Sequence, residues 1–346
     1  MKYIQAILPL PLEGTFTYSV PQDLEDKIKV GMRVVVPCGQ KKTYTALCVE
    51  VTDKKPNIGV KNIKCIYSVL DDMPMLLPQQ LKLWQWMADY YMCPLGDIYK
   101  AALPAGLKAE DGYRPKTETY VGLTEKFHDE MALNIALDMV SRYEKQQKAL
   151  AGYLELSHWA EMSGTAIPDD IKEITQTELC NVTHCTTPTV KSLVKRGILE
   201  IYQKEVGRLN TDGEFTPQNA KLLNEAQQEA YNQVLMQFMK KNVVLLHGVT
   251  SSGKTEIYIH LILKALQDHK QVLFLLPEIA LTVQIMERLQ RVFGSRLGIY
   301  HSKYSDAERV EIWKKQVSAC PYDIIIGARS AALLPFKNLG LVIIDE

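Results

Sequence analysis

The sequence predicts a multidomain α/β protein with three successive folding units. A chain of 346 residues is longer than one hydrophobic core usually supports, so two or three domains are expected. Short strand-like runs and turn signals fill the first part, whereas strand and helix patterns alternate from about residue 215 onward. Such alternation is typical of a parallel sheet with helices on both faces. We place a β-rich domain at 1–106, a winged-helix domain with its linker at 107–210 and an α/β domain at 211–346.

The composition is that of an ordinary globular protein, with 47% hydrophobic and 23% charged residues. Lys plus Arg and Asp plus Glu both number 40, so any binding of nucleic acid must come from local patches of positive charge. The sequence shows no signal peptide and no apolar run of transmembrane length. The seven cysteines form no Cys-x-x-Cys pair, which predicts reduced thiols in a cytoplasmic protein without contact to a membrane. Cys180, His184 and Cys185 lack a second ligand cluster, so no metal site is predicted there.

The first domain combines a strand meander with one helix. Strand-like runs are expected at Tyr3–Leu8, Phe16–Val20, Arg33–Pro37, Tyr44–Val51 and Ile63–Leu70. The helix Pro78–Tyr91 has an apolar face made of Leu81, Leu83, Trp84, Met87, Ala88 and Tyr91. Composition alone assigns no ligand to this domain, and a small barrel that merely packs on its neighbours is the simpler interpretation.

The second domain has the pattern of a winged helix. A long, mostly helical stretch, 129–154, precedes a helix at 175–182, a Thr-rich turn from Thr183 to Pro188 and a second helix at 189–196. Gly197 caps this helix and Ile198–Val206 begins a β-wing. Basic side chains on the second helix and the wing are Lys191, Lys195, Arg196, Lys204 and Arg208. Contact with duplex DNA and a purely structural spacer both remain open on this evidence.

The third domain is organised around a phosphate-binding loop. Val243–Leu246 is predicted as a buried strand, Gly248-Val249-Thr250-Ser251-Ser252-Gly253-Lys254-Thr255 follows, and Glu256–Leu266 has helical spacing. The glycines allow a tight turn whose N–H groups face phosphate oxygens, at the positive end of the next helix. Lys254 would contact the β- and γ-phosphates of ATP, and the Thr255 hydroxyl would ligate Mg²⁺. Asn224 is expected to cap the helix that precedes the loop.

Three further motifs follow predicted strands, where ligands bind in sheets of this kind. They are Pro277 to Thr282 after the strand 271–276, Arg329 after the strand 323–326, and Asp345-Glu346 after the strand 339–344. Apolar residues followed by Asp-Glu form a Walker B pattern, in which Asp345 would hold Mg²⁺ and Glu346 would orient the attacking water. An isolated Asp-Glu could also be a helix N-cap, and Arg329 could be a surface residue or a phosphate contact.

The order and the sequences of these motifs resemble lobe 1 of superfamily 2 DNA helicases, and specifically the bacterial PriA family (primosomal protein N′). The resemblance covers the whole chain. It rests on Leu-Asn-x-x-Gln at 223–227, Val-Thr-Ser-Ser-Gly-Lys-Thr-Glu at 249–256, Leu-Pro-Glu-Ile-Ala-Leu-Thr at 276–282, Gly-Ala-Arg-Ser-Ala at 327–331 and Val-Ile-Ile-Asp-Glu at 342–346. In the first domain, Phe16-Thr17-Tyr18, Val36-Pro37-Cys38-Gly39 and Ala88-Asp89-Tyr90-Tyr91 resemble the family's 3′-end DNA-binding domain.

The resemblance implies roles for individual residues. Gln227 would read the adenine, Gly253, Lys254 and Thr255 would hold phosphates and Mg²⁺, and Asp345 with Glu346 would be the motif II pair. Pro277, Glu278, Thr282 and Arg329 would lie along the DNA strand. Phe16, Gly39 and Lys64 would form the pocket for a nascent 3′-hydroxyl end, and Lys191, Lys195 and Arg196 would touch duplex DNA. The implied partners are forked DNA, single-stranded DNA-binding protein and other primosome proteins.

Two departures from the family pattern limit these expectations. Thr17 stands where members often have Asp, and a neutral hydroxyl should bond a 3′-OH more weakly than a carboxylate. The sequence also ends at Glu346, before the second helicase lobe, its arginine finger and the zinc-binding insertion. We therefore expect zinc only outside this chain and no unwinding by this polypeptide alone.

Three functions are compatible with the sequence. The first is the N-terminal part of a 3′→5′ ATP-dependent DNA helicase that restarts stalled forks. The second is a DNA-binding module for branched DNA or 3′ ends without motor activity. The third is a different P-loop ATPase, such as a restriction-type or RecG-like translocase. The motifs of the first domain argue against this third function.

Overall fold

The computed structural model describes residues 2–39, 42–54, 63–109, 117–159, 171–205, 213–249, 252–277, 283–301 and 304–345. These residues form two compact units. One joins residues 1–113 to residues 209–346, and the other comprises residues 114–208. The N-terminal and C-terminal thirds of the chain thus fold together, a pairing that the sequence patterns do not indicate.

The N-terminal third is an antiparallel sheet followed by helices. Its elements are β1 (Tyr3–Ile7), β2 (Phe16–Ser19), β3 (Arg33–Cys38), β4 (Lys42–Thr52), β5 (Ser68–Val69), α1 (Pro78–Tyr91), α2 (Leu95–Ala102) and α3 (Ala105–Lys108). The strand order is β2-β1-β4-β3-β5. Ser19 exchanges backbone hydrogen bonds with the segment 64–66, and Tyr67 donates to Val35, so this segment joins β2 to β3 and closes the sheet into a barrel.

The predicted helix 78–91 is confirmed, but its apolar face is narrower than expected. Trp84 and Ala88 are buried, and Leu81 and Met87 pack beside them. Leu83 and Tyr91 were expected on the same face, yet 36% and 62% of their surfaces are exposed. The buried stripe follows the i, i+3, i+4 spacing of positions 81, 84, 87 and 88, and the other two positions fall outside it.

The unit of residues 114–208 has the helix–turn–helix–wing order that the sequence predicts. Its elements are β6 (Thr117–Leu123), α4 (Glu130–Val140), α5 (Glu144–Leu156), β7 (Ile174–Thr175), α6 (Gln176–Thr183), α7 (Thr187–Lys195) and β8 (Leu199–Glu205). The wing strand β8 pairs with β6 in the order β7-β6-β8. The stretch 129–154, expected to be mostly helical, consists of the two helices α4 and α5, which a turn at residues 141–143 separates. Pro188, expected in the turn, lies in the first turn of α7, where proline fits a helix start.

The C-terminal third is a parallel sheet with helices on both faces, as predicted. Its elements are α8 (Glu225–Phe238), α9 (Lys254–Gln267), β9 (Gln271–Leu275), α10 (Val283–Phe293), β10 (Leu297–Tyr300), α11 (Asp306–Val317), β11 (Ile324–Gly327) and β12 (Leu339–Ile344). The strand order is β10-β11-β9-β12, and all three pairings are parallel. The carboxyl ends of these strands therefore meet at one edge.

Alternate side chains of this sheet enter two different cores. Val272 and Phe274 pack with α8, α9 and α10. On the opposite face, Leu273 and Ile325 pack with α11 and also with Trp84 of α1 and Tyr99 of α2. Helices of the N-terminal third thus cover one face of the C-terminal sheet, and a single apolar core holds the two thirds together.

The predicted strand Val243–Leu246 is wrong, because this segment has no regular structure. Val243 and Leu245 are 83% and 87% exposed, and only the alternate side chains Val244 and Leu246 touch the core around α9. Backbone groups of a strand need a neighbouring strand as hydrogen-bond partner. In the described part of the chain, β12 is the edge strand of the sheet and nothing pairs with its outer side.

None of the helices in the described ranges combines the length and the apolar composition that crossing a membrane requires.

Candidate nucleotide-binding and DNA-binding sites

The phosphate-binding loop ends at the first residue of α9. Gly253 caps this helix with φ +83°, a backbone conformation that favours glycine. The Lys254 ammonium turns back into the loop and donates to the carbonyl oxygens of Gly248 at 2.7 Å and Val249 at 3.2 Å. The lysine charge, the open N–H groups of the helix end and the helix dipole converge on one place, which is the arrangement that an anionic phosphate requires.

Gln227 lies next to this loop. Asn224 caps α8 as predicted, since its side chain accepts from the Gln227 N–H at 2.9 Å while Gln227 Oε1 accepts from the Asn224 N–H at 3.0 Å. Gln227 Nε2 points to the Gly253 carbonyl oxygen at 3.5 Å. A Cβ atom on residue 253 would lie 2.2 Å from that nitrogen, so the Gln227 side chain can approach the loop this closely only because residue 253 is glycine. The structure thus brings the expected adenine-reading residue to the end of the phosphate loop.

Asp345 follows β12 at the same edge of the sheet, and a tyrosine of α9 forms a hydrogen bond with its side chain. The Tyr258 hydroxyl donates to Asp345 Oδ1 at 3.2 Å, and the Asp345 N–H donates to Leu275 of β9. Burial and the neighbouring carboxylate raise the pKa of Tyr258 to about 12, so the hydroxyl keeps its proton at neutral pH. Tyr258 is three residues after Thr255 on one helix, which puts both side chains on the same helix face. Neither Tyr258 nor this link was predicted from the sequence.

A second contact of α9 was also missed. Glu256, which is buried directly after Thr255, forms an ion pair with Arg288 of α10. A buried carboxylate requires such a partner. This pair fixes the first turn of α9 against α10, behind the phosphate loop.

The expected DNA-strand residues follow the other strands at this edge. Pro277 lies just past β9, and Arg329 begins a short 3-10 helix, Arg329–Leu333, after β11. Leu276 donates its N–H to the Gly327 carbonyl oxygen, so the two strand ends are joined. Arg329 is exposed. Thr250, Ser251, Glu278, Thr282 and Glu346 lie outside the described residues.

The 3-10 helix with Arg329 rests on the N-terminal third. Gln80 of α1 is 4% exposed, and its Nε2 donates to the Leu333 carbonyl oxygen at 2.9 Å while its Oε1 accepts from the Leu77 N–H at 2.9 Å. Asp306 at the start of α11 accepts from the backbone N–H groups of Ala105 and Gly106. These polar contacts complement the shared apolar core.

Two of the expected 3′-end residues come together in the barrel. Lys64 Nζ donates to the Gly39 carbonyl oxygen at 2.5 Å. Phe16 packs at the margin of the barrel core. Thr17 donates its hydroxyl to Gln5 Oε1 at 3.1 Å, and Thr15 donates to the same oxygen at 3.1 Å. Gln5 was not predicted, and the β1–β2 register that sets it opposite Thr17 is the signal that would have identified it.

The basic residues of the winged-helix unit fall into two groups. Lys191 and Lys195 are exposed on α7, four residues apart and therefore on one face. The Arg196 guanidinium instead lies over the Tyr143 ring, 4.4 Å from its centroid, and Lys204 forms an ion pair with Glu173. Arg208 lies outside the described residues. The two lysines are thus the members of the set that face solvent without such a partner among the described residues.

The donor set around α9 fits ATP and Mg²⁺. Lys254 would supply the positive charge, and Thr255 and Asp345 would supply oxygen ligands of the kind that Mg²⁺ prefers. The described residues contain no group of three or more His, Cys, Asp or Glu side chains that could hold a metal ion by themselves. A magnesium ion would therefore need phosphate oxygens from the nucleotide to complete its shell.

Three models of known families match successive segments of the chain. Residues 5–104 match the 3′ DNA-binding domain, residues 118–206 match a winged-helix domain of PriA helicase from Bacteroidota, and residues 224–346 match the DEAD/DEAH box helicase domain. Three of its relatives are replication restart proteins PriA. The Bacillus subtilis protein is 31% identical over 97% of this chain, and the Haemophilus influenzae protein is 30% identical over 100% of it. The Helicobacter pylori PriA is 45% identical over 36% of this chain and 20% of its own length.

The fold and the comparisons define the class of protein: a 3′ DNA-binding domain and a PriA-type winged-helix domain precede a DEAD/DEAH box helicase domain, whose parallel sheet is consistent with a RecA-like lobe. The chain belongs to the PriA family of replication restart helicases. It spans about half the length of the relatives it matches, 47% of the Bacillus subtilis protein and 44% of the Haemophilus influenzae protein.

Proposed function

We propose that this chain supplies the DNA-recognising and ATP-binding parts of a PriA-type 3′→5′ DNA helicase. Such a helicase acts in the cytoplasm at stalled or branched replication forks and begins primosome assembly for replication restart. The observation that carries the proposal is the convergence of Lys254 and Asp345 at one edge of the sheet, where Tyr258 of the helix that starts at Lys254 bonds Asp345.

In this proposal the nucleotide site is built from α8, α9 and β12. Gln227 contacts the adenine, the N–H groups of residues 248–255 and the Lys254 ammonium hold the phosphates, and Thr255 and Asp345 bind Mg²⁺. Glu346 orients the water that attacks the γ-phosphate. Bound Mg²⁺ would neutralise charge that develops on the phosphate oxygens.

The DNA-binding residues lie in both compact units. Phe16, Thr17, Gly39 and Lys64 take a nascent 3′ end, and Pro277, Glu278, Thr282 and Arg329 follow the DNA strand. Lys191 and Lys195 contact duplex phosphates, whereas the stacking of Arg196 on Tyr143 makes it the weakest candidate of the three. Single-stranded DNA-binding protein and other primosome proteins are the proposed protein partners, and zinc is expected only outside this chain.

One observation favours a second candidate function. In the described part of the chain, Val243–Leu246, which leads into the phosphate loop, pairs with no strand of the sheet, and its side chains Val243 and Leu245 are exposed, so the loop lacks a supporting strand. The chain alone would then be a DNA-binding module for branched DNA or 3′ ends without motor activity.

Titration of the full chain with a fluorescent ATP analogue in Mg²⁺ tests the proposal. We expect saturable binding that Lys254→Ala weakens at least tenfold, because the β- and γ-phosphates lose their cation. The variant Lys264→Ala is the control, since Lys264 lies on the same helix but pairs with Asp268. Absence of binding by the unaltered chain, with forked DNA still bound, would favour the motor-less module.

A further inference from the structure

Tyr258 is placed to control one side chain of the nucleotide site. It is 7% exposed, and its ring packs edge-on against Phe274 of β9 at 5.6 Å between centroids and 72° between planes. Phe274 is fully buried, so the tyrosine ring has little freedom to move. Its hydroxyl leaves the core at the sheet edge and donates to Asp345 Oδ1 at 3.2 Å.

The two oxygens of the Asp345 carboxylate differ in their hydrogen-bond partners. Oδ1 is held by Tyr258, while Oδ2 has no hydrogen-bond partner among the described residues. An aspartate whose carboxylate has no fixed partner samples several rotamers, and ordering it on ligand binding lowers affinity. Groups that orient a ligating carboxylate raise metal affinity although they do not touch the metal.

We propose that Tyr258 is a positioning residue that orients Asp345 so that Oδ2 faces the Mg²⁺ of a bound nucleotide. This inference rests on the proposed function. Thr255 is three residues earlier on the same helix, so α9 would set the positions of both Mg²⁺ ligands, one through its own hydroxyl and one through the tyrosine. The phosphate loop and the motif II carboxylate would then form a single preorganised site.

The variant Tyr258→Phe tests the inference, since it removes one oxygen and keeps the packed ring. Binding of a fluorescent ATP analogue to the full chain would be measured in excess Mg²⁺ and again in EDTA. The ratio of the two affinities gives the contribution of the metal. We expect Tyr258→Phe to reduce this ratio at least about tenfold, as the loss of a group that orients a metal-ligating carboxylate predicts, and to leave the affinity in EDTA unchanged.

Two controls separate positioning from general loss of structure. Tyr231→Phe removes a hydroxyl from the neighbouring helix α8, where the ring packs against His260, and should leave the ratio unchanged. In the Asp345→Asn background, Tyr258→Phe should have no further effect on the ratio, because the carboxylate that it orients is gone.

Each outcome decides a different point. An unchanged ratio in Tyr258→Phe, or an equal loss in Mg²⁺ and in EDTA, would overturn the positioning role while the proposed function stands. If the unaltered chain binds no nucleotide, or binds it equally with and without Mg²⁺, the proposed nucleotide site itself is wrong and the inference falls with it.

Discussion

Trp313 donates its indole N–H to the backbone carbonyl oxygen of Met75 at 2.8 Å, across a separation of 238 residues along the chain. The first residue belongs to α11 of the helicase lobe and the second to the segment before α1. The bond lies inside the apolar core that the two thirds share. The barrel with its helices and the nucleotide-binding sheet are therefore parts of one folding unit.

This bond predicts different effects of two tryptophan substitutions in one core. Trp313→Phe should lower the free energy of unfolding by about 1–3 kcal/mol more than the lost packing alone, because the buried Met75 carbonyl oxygen loses its donor. Trp84 is the matched control: it is equally buried, but its indole nitrogen has no hydrogen-bond partner among the described residues. Urea unfolding of both variants gives the comparison, and a larger loss in Trp84→Phe would contradict the assignment.

The contact between Gln80 and Leu333 predicts that the N-terminal third supports the DNA contact that we propose for Arg329. Gln80→Leu removes the donor to the Leu333 carbonyl oxygen and should weaken binding of a single-stranded oligonucleotide, because the segment that carries Arg329 loses its support. In a chain that already carries Arg329→Ala, Gln80→Leu should cause no further loss of oligonucleotide affinity, which fluorescence anisotropy measures. Gln79→Leu is the control, since Gln79 bonds Phe336 beyond that segment and should leave the affinity unchanged.

The partition of basic residues in the winged-helix unit predicts which of them bind duplex DNA. Replacing Lys191 and Lys195 together by Ala should weaken duplex binding and reduce the slope of log K against log salt by about two, since each phosphate contact contributes about 0.9. Lys204→Ala should change neither quantity, because Lys204 is paired with Glu173. If replacing Lys204 weakens duplex binding as much as replacing Lys191 or Lys195 does, the whole surface attracts DNA nonspecifically.

Thr17 predicts a gain of function in the proposed 3′-end pocket. Thr17→Asp should strengthen binding to a recessed 3′-OH end about threefold to tenfold, since a carboxylate accepts a stronger hydrogen bond than a hydroxyl. Thr15→Asp adds the same charge beside the same Gln5 oxygen, one residue outside the predicted pocket, and is the control. If both variants weaken binding equally, charge repulsion from the DNA dominates and the pocket does not lie at Thr17.

Local patterns were sufficient to predict most elements, and they single out the residues of the proposed nucleotide site. The Asn224 cap, the glycine at position 253 and the strands that precede Pro277, Arg329 and Asp345 follow from residue type and spacing. The failure at Val243–Leu246 has a different origin, because an apolar run becomes a strand only where a partner strand is available. The links between Tyr258 and Asp345 and between Trp313 and Met75 join residues 87 and 238 positions apart, and no local pattern records them.

The measurement that tests the account most directly is the affinity of the full chain for a forked DNA whose leading-strand 3′ end carries a free hydroxyl. The same fork with that end blocked by a 3′-phosphate is the reference. The account predicts at least threefold tighter binding to the free end, corresponding to one hydrogen bond in the pocket near Thr17, Gly39 and Lys64. Equal affinity for the two forks would contradict 3′-end recognition and leave a chain that binds branched DNA through its basic residues alone.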